Sequence, residues 1–178
     1  MCIRDRDTFE APLHSKLHGA RALRVALEGQ PLSFALLLSS IAAVWGSHDL
    51  AGYGTANAAL LALGRQWRNE GVPATAVAMG PWAVGGMVRP EENEAFARMG
   101  VRPLETAPAL ASLAPLLGAR TPPVVLLADV DWKRFVPLVT ARRPRPLFER
   151  MASVPSVEAD RPAEPTHRAL EELSLIHI

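Results

Sequence analysis

Three short apolar runs punctuate the chain: FALLLS at 34–39, ATAVAM from residue 74, and VVLLADV ahead of Asp131 and Trp132. A continuous apolar stretch this short cannot bury itself as a helix and reads instead as a strand covered on both faces. The stretches between carry a different period. Residues 10–28, EAPLHSKLHGARALRVALE, set Leu13, Leu17, Ala20, Leu23 and Ala26/Leu27 three or four apart, one face of an amphipathic helix that QPL stops. Residues 52–71 put Leu60, Leu63 and Trp67 on one face, and Gly71 followed by Pro73 ends that helix. RPEENEAFARMG and APALASLAPLLG supply two more helical pieces. Helix alternating with strand dictates an α/β fold, a parallel sheet with right-handed crossovers.

A doubly wound nucleotide-binding sheet has about six strands. With three in hand, the expected fold is the C-terminal part of a doubly wound Rossmann-like parallel sheet with flanking helices, its N-terminal half missing. The run at 34–39 is expected to be a central strand of that sheet. No G-x-G-x-x-G precedes Lys16. GPWAVGG has glycines, but it follows a late strand and opens no helix, so it is rejected as a phosphate cradle.

Both termini stand apart from this pattern. MCIR and SLIH are the translations of one short DNA sequence and its reverse complement, which resembles a transposon adapter used in sequencing-library preparation. Residues 1–6 and 174–178 are therefore expected to be adapter-derived and are set aside. Residues 7–150 form the domain segment, and 151–173, rich in Pro, Ala and charge, have the composition of a linker towards a following domain.

Composition narrows the class. The 178 residues are 49% hydrophobic and 21% charged with a net charge of +1, which gives no push towards nucleic acid. No apolar run approaches the length of a membrane span. Cys2 is the only cysteine, so no disulfide forms within the chain, in keeping with a reducing, cytoplasmic setting. His14, His18 and His48 lack metal-ligand spacing with cysteine or acidic partners, and no metal site is expected. The basic run RRPRP at 142–146 reads as a solvated exit segment.

The chemistry concentrates in LLLSSIAAVWGSHDLAGYGTAN, residues 36–57, where Ser40, Tyr53 and Asn57 are thirteen and four apart. Tyr53 and Asn57 share a helix face at i and i+4. Ser40 sits at the C-terminal end of a strand, the edge where open parallel sheets build their sites. Lys16 lies on the preceding helix, which neighbours that of Tyr53 and Asn57 if both cover one side of the sheet. Singly, each residue has an ordinary reading: Ser40 as a turn cap, Tyr53 as packing, Asn57 as a polar helix residue, Lys16 as a snorkelling surface lysine. Together they propose a site.

This arrangement resembles the ketoreductase domains of modular polyketide synthases, members of the short-chain dehydrogenase/reductase superfamily, in which lysine stands on the earlier helix and asparagine four after the tyrosine. HSKLHGARAL is similar to their lysine helix, PLSFALLLSSIAAVWG to their serine strand, and YGTANAALLALGRQWRNEGVPATAVAMGPWAVGGM to the tyrosine helix through the lid loop. MGVRPLETAPALASL and VVLLADVDWKRFVPLVTARRPRPL resemble the last helix, last strand and exit segment, so the likeness runs over about residues 10–149. Two positions depart from it: Leu61 stands where an acidic residue is usual, and Met79 where tryptophan is common.

The resemblance implies an NADPH-dependent reduction of a β-keto thioester carried on an acyl carrier protein, within a synthase of several domains. Lys16, Ser40, Tyr53 and Asn57 would be catalytic. Pro81 and Trp82 would meet the nicotinamide, and Trp45 and Met87 would shape the substrate groove. A phenol is a poor acid at neutral pH, and an ammonium nearby favours its ionised form, which is the part the resemblance gives Lys16. Ser40 would hydrogen-bond the carbonyl oxygen, Tyr53 would deliver the proton, and Asn57 would hold Lys16 or a water relay. Two alternatives stand beside this: a redox-inactive domain that is structural or epimerises substrate, and a stand-alone lipid-synthesis reductase.

Overall fold

The computed structural model describes residues 6–47, 50–84, 90–117, 121–148 and 174–177. The chain divides into two compact units, residues 1–79 with 114–126 and 176–178, and residues 80–113 with 127–175.

In the first unit a helical arm comprises α1 (Arg6–Leu13), a π-helical turn (His14–His18) and α2 (Gly19–Ala26). β1 (Ala35–Ser40) follows, then the short α3 (Ala42–Trp45), the long α4 (Ala51–Asn69) and β2 (Ala74–Met79). β1 and β2 pair in parallel, Ala35 opposite Ala74 through Ser40 opposite Met79. The segment ALLLSS contains no β-branched residue, so pairing and burial rather than intrinsic preference make it a strand. On its other side β2 neighbours β4 (Val124–Val130), and the Ala76 N–H donates to the Pro123 carbonyl at 2.9 Å.

The core of this unit lies between α4 and the strands. Leu37 packs with Leu60, Leu63, Trp67, Ala74 and Ala76, and Leu17 and Ala20 close over them from the arm. The face of α4 expected from its spacing is the face that is buried. Two glycines set how closely elements approach. A Cβ on Gly64 would stand 2.6 Å from the Ala76 Cβ, and one on Gly52 would stand 2.6 Å from the Phe9 carbonyl oxygen, where α1 crosses α4. Arg68 ties the far end of α4 to β2 and to the segment ahead of β4, donating to the Ala74 carbonyl at 2.8 Å, the Thr121 carbonyl at 3.0 Å and the Thr75 hydroxyl at 2.9 Å.

The second unit holds α5 (Pro90–Arg98), β3 (Val101–Arg102), α6 (Thr106–Leu113) and α7 (Trp132–Thr140). β3 pairs antiparallel with the end of β4, and Arg102 meets Asp129 at 2.5 Å. Asp131 caps α7, accepting from the Arg134 N–H at 3.2 Å. Trp132, Phe135 and Phe148 then interlock edge to face.

Among the described residues β1 pairs only with β2, and Leu38 is 47% and Phe34 48% exposed, which is how a central strand stands when the strands expected on its other side are missing. Two expectations need correction. Leu23, assigned to the buried face of the arm, is exposed, because the half-buried face continues from Leu13, Leu17 and Ala20 through Arg24 and Leu27, four and then three residues on. The stretch after Asp131 was expected as an exit segment and is a capped helix with a buried aromatic face. Ser174–His177 forms a further strand, β5, beside β4, which has no bearing on the expectation that these residues are adapter-derived. The linker at 151–173 lies outside the described residues.

Candidate active site

The first unit carries all four expected catalytic positions. Ser40 ends β1, opposite Met79 at the C-terminal edge of the pair. Its Oγ accepts a hydrogen bond from the Ala42 N–H at 3.2 Å in the turn into α3. The turn-cap reading of Ser40 is thus met, and it does not compete with chemistry. An oxygen that accepts from a backbone N–H still has its own O–H to donate.

Tyr53 and Asn57 lie on the first turns of α4. The Asn57 Nδ2 donates to the Tyr53 carbonyl at 2.8 Å, which orients the amide, since a carbonyl oxygen needs a donor opposite it. The side chain of Asn57 is fully buried, at 0% exposure, and among the described residues its Oδ1 has no hydrogen-bond partner. Its backbone carbonyl accepts from the buried Ser39 hydroxyl at 2.9 Å. Tyr53 is only partly buried, as a group that must reach a substrate should be.

Lys16 sits at the middle of the π-helical turn, which packs against α4. It is half-buried, and loss of hydration lowers its pKa from the ordinary lysine value. Among the described residues no hydrogen bond or ion pair engages its ammonium. An isolated π-helical turn inside a longer helical arm frequently marks a functional position.

The remaining expected site residues are placed differently. Trp45 is half-buried at the end of α3. A shallow groove runs between α3 and α4, floored by small residues such as Ala43, Gly46 and Gly54, and Trp45 does not line it. Met87 lies outside the described residues. Pro81 and Trp82 belong to the second unit. There the Pro81 carbonyl is taken by the Leu104 N–H at 2.6 Å, and the Ala83 N–H donates to the Leu104 carbonyl at 2.9 Å, so Trp82 forms a parallel bridge with Leu104. In such a bridge the central residue's own N–H and C=O face the other way. Trp82 therefore presents one donor and one acceptor side by side, the complement of a carboxamide. That fits the nicotinamide end of the implied cofactor.

A family model described as the KR domain matches residues 3–84. The chain belongs to the ketoreductase-domain family. The matched span contains the lysine arm, the serine strand, α4 and β2. Among curated proteins the chain is 42% identical over 137 residues to the pikromycin polyketide synthase component PikAIII of Streptomyces venezuelae, covering 77% of this chain and 9% of that one. Among solved structures it is similar to the ketoreductase from the first module of phoslactomycin biosynthesis in Streptomyces sp. HK803, with 36% identity and a TM-score of 0.77 over 84% of this chain and 36% of that one. The first ketoreductase of the tylosin polyketide synthase gives 34% identity and a TM-score of 0.74 over 85% of this chain and 34% of that one. The chain thus spans about a third of the length of these solved ketoreductases. The α/β fold expected from the alternation of strands and helices is the ketoreductase fold, and the segment is a part of a polyketide-synthase ketoreductase domain.

Sequence reading alone passed over Ser39, treating it as part of the strand. The signal was present: Ser39 lies two residues beyond Leu37, so the strand period directs both to the face that α4 covers.

Proposed function

We propose that the ketoreductase domain carrying this segment reduces the β-keto group of a carrier-bound thioester to a hydroxyl, with NADPH as reductant. The observation that carries the reading is Asn57. A fully buried amide is held by its own Nδ2 on the Tyr53 turn while its Oδ1 has no donor among the described residues. Leaving a buried acceptor unpaired costs about 1–3 kcal/mol, a cost that persists where function needs the group. Among the elements packed on α4 is the turn bearing Lys16, a half-buried ammonium with donors and no acceptor among the described residues. An acceptor without a donor and a donor without an acceptor thus lie on two packed elements. Lys16 Nζ, directly or through one water, is the natural complement of Asn57 Oδ1.

The division of labour follows. NADPH supplies the hydride when bound. As the keto carbon is reduced, negative charge gathers on its oxygen, and the free O–H of Ser40 donates to that oxygen. The Tyr53 hydroxyl gives the same oxygen its proton, and Lys16 stabilises the phenolate left behind. Asn57 holds the lysine or its water in line. The backbone of Trp82 would hold the nicotinamide carboxamide. Other domains of the same synthase, including an acyl carrier protein, are the partners, in keeping with relatives that are many times longer than this chain.

Replacing Tyr53 by phenylalanine in the complete domain tests this. Turnover of a β-keto thioester is expected to vanish while NADPH binding, read by fluorescence, remains. Turnover near wild type in Tyr53→Phe would remove the proton-donor role and the proposal with it.

A further inference from the structure

We propose that Ser39, not Ser40 alone, is required for turnover: its buried hydroxyl is the positioning device that holds the proton-donating turn of α4 against the end of β1. The inference rests on the function proposed above and adds a residue to it.

The geometry begins with the strand period. Leu37 points into the core beneath α4, among Leu60, Leu63 and Trp67. Ser39 follows two residues later on the same face and is 8% exposed. Its Oγ–H donates to the backbone carbonyl of Asn57 at 2.9 Å. That carbonyl lies inside a continuous helix, where the N–H four residues on already serves it. Ser39 is therefore a second donor to an oxygen that has two lone pairs. The bond is not needed to satisfy the helix. What it adds is a link between two elements.

That link falls at a telling place. The residue it grips on α4 is Asn57, whose amide in turn grips the Tyr53 carbonyl. The residue beside it on β1 is Ser40, whose Oγ accepts from the Ala42 N–H. One serine thus faces the helix that carries the proton donor, while its neighbour ends the strand at the edge where the reacting oxygen would lie. The bonds from Ser39 to Asn57 and from Asn57 to Tyr53 fix the separation between Ser40 and Tyr53, the two hydroxyls that must meet one substrate oxygen. Packing alone constrains this weakly, because an apolar contact tolerates rotation of α4 about its axis and a hydrogen bond does not.

The test uses the complete ketoreductase domain and three substitutions, with Tyr53→Phe run alongside. Ser39→Ala removes the hydroxyl without orphaning the Asn57 carbonyl, so the fold survives and its melting temperature changes little. Its kcat is expected to fall about tenfold, the order expected for loosened alignment of reacting groups, with the KM for thioester within about twofold of wild type. Ser39→Thr, which keeps the hydroxyl, is expected to recover most of the loss. If Ser39→Ala does not fold, Ser39→Cys takes its place under the same kcat criterion, being nearly isosteric and a weak donor.

A kcat for Ser39→Ala at the wild-type level, with Tyr53→Phe inactive, overturns the positioning role and leaves the proposed function standing. A loss that Ser39→Thr does not restore assigns the effect to shape instead of the hydroxyl and overturns it equally. Normal turnover in Tyr53→Phe removes the proposed function, and this inference with it.

Discussion

Asn57→Leu in the complete domain is expected to give a protein that is more stable and nearly inactive. The substitution keeps the branched outline of the side chain and removes its polarity. Three terms decide the stability. Deleting the unpaired buried Oδ1 recovers a penalty of about 1–3 kcal/mol. Losing the Nδ2 bond to the Tyr53 carbonyl costs about 1 kcal/mol, and no orphan is created because that carbonyl keeps its helical N–H partner. Fitting slightly larger methyl groups into a fully enclosed site costs about 1 kcal/mol, partly offset by their transfer from water. The balance favours leucine by about 1 kcal/mol, a rise in melting temperature of about 1–2 °C for a complete domain roughly three times the length of this segment. Activity moves the other way. With nothing to hold Lys16 or its water, reduction of a β-keto thioester should fall by about 10²-fold, the lower end of what a positioned proton relay contributes. The assay pairs thermal unfolding with turnover on the same preparations. A fall in melting temperature of several degrees would show that Oδ1 has a partner in solution. Unchanged turnover would remove Asn57 from the site.

Other consequences are open to measurement. Lys16 pays for its half-buried position as the charged form, since burial lowers its pKa. The unfolded chain therefore binds more protons between the lowered value and the ordinary lysine pKa of about 10.4, and stability rises with pH across that window. Lys16→Met should accordingly raise the urea midpoint at pH 7, by a margin that shrinks towards zero above about pH 10.4; a margin constant with pH would show that the gain has another source. At Gly64 a Cβ would stand 2.6 Å from the Ala76 Cβ, so Gly64→Ala should destabilise by about 1–3 kcal/mol, outweighing the helix-propensity gain of about 1 kcal/mol. Adding Ala76→Gly should recover part of that loss, and additive effects in the double variant would refute the contact. The 178-residue chain expressed by itself should self-associate in sedimentation, because β1 has one unpaired edge among the described residues and Phe34, Leu38 and Val25 are exposed; a monomer at high concentration would show that this face is covered in some other way.

Much of this molecule was legible before any coordinates. The three apolar runs became β1, β2 and β4, and the spacing of Leu60, Leu63 and Trp67 named the buried face of α4. These are statements about period, and period is a property of consecutive residues that the backbone converts directly into a face. The pairing of Tyr53 with Asn57 was equally local, and the structure adds the bond between them. Where the helix winding changes, the same reasoning loses its footing. Nothing in HSKLH announces a π-helical turn, yet that turn carries Lys16.

The rest belonged to tertiary structure. The order of the strands, with β1 beside β2 alone among the described residues, depends on which segments are present to pair and not on what FALLLS contains. The helix after Asp131 was hidden because its proline and basic residues lie on the outside, while Trp132, Phe135 and Phe148 find one another across sixteen residues. Ser39 was indistinguishable from any strand serine until α4 was laid over it and the Asn57 carbonyl came within 2.9 Å. Gly52 and Gly64 likewise show their purpose only where Phe9 and Ala76 approach. A sequence spells out what each residue can offer along its own element; which partner receives the offer is decided when two elements distant in the chain close to van der Waals contact.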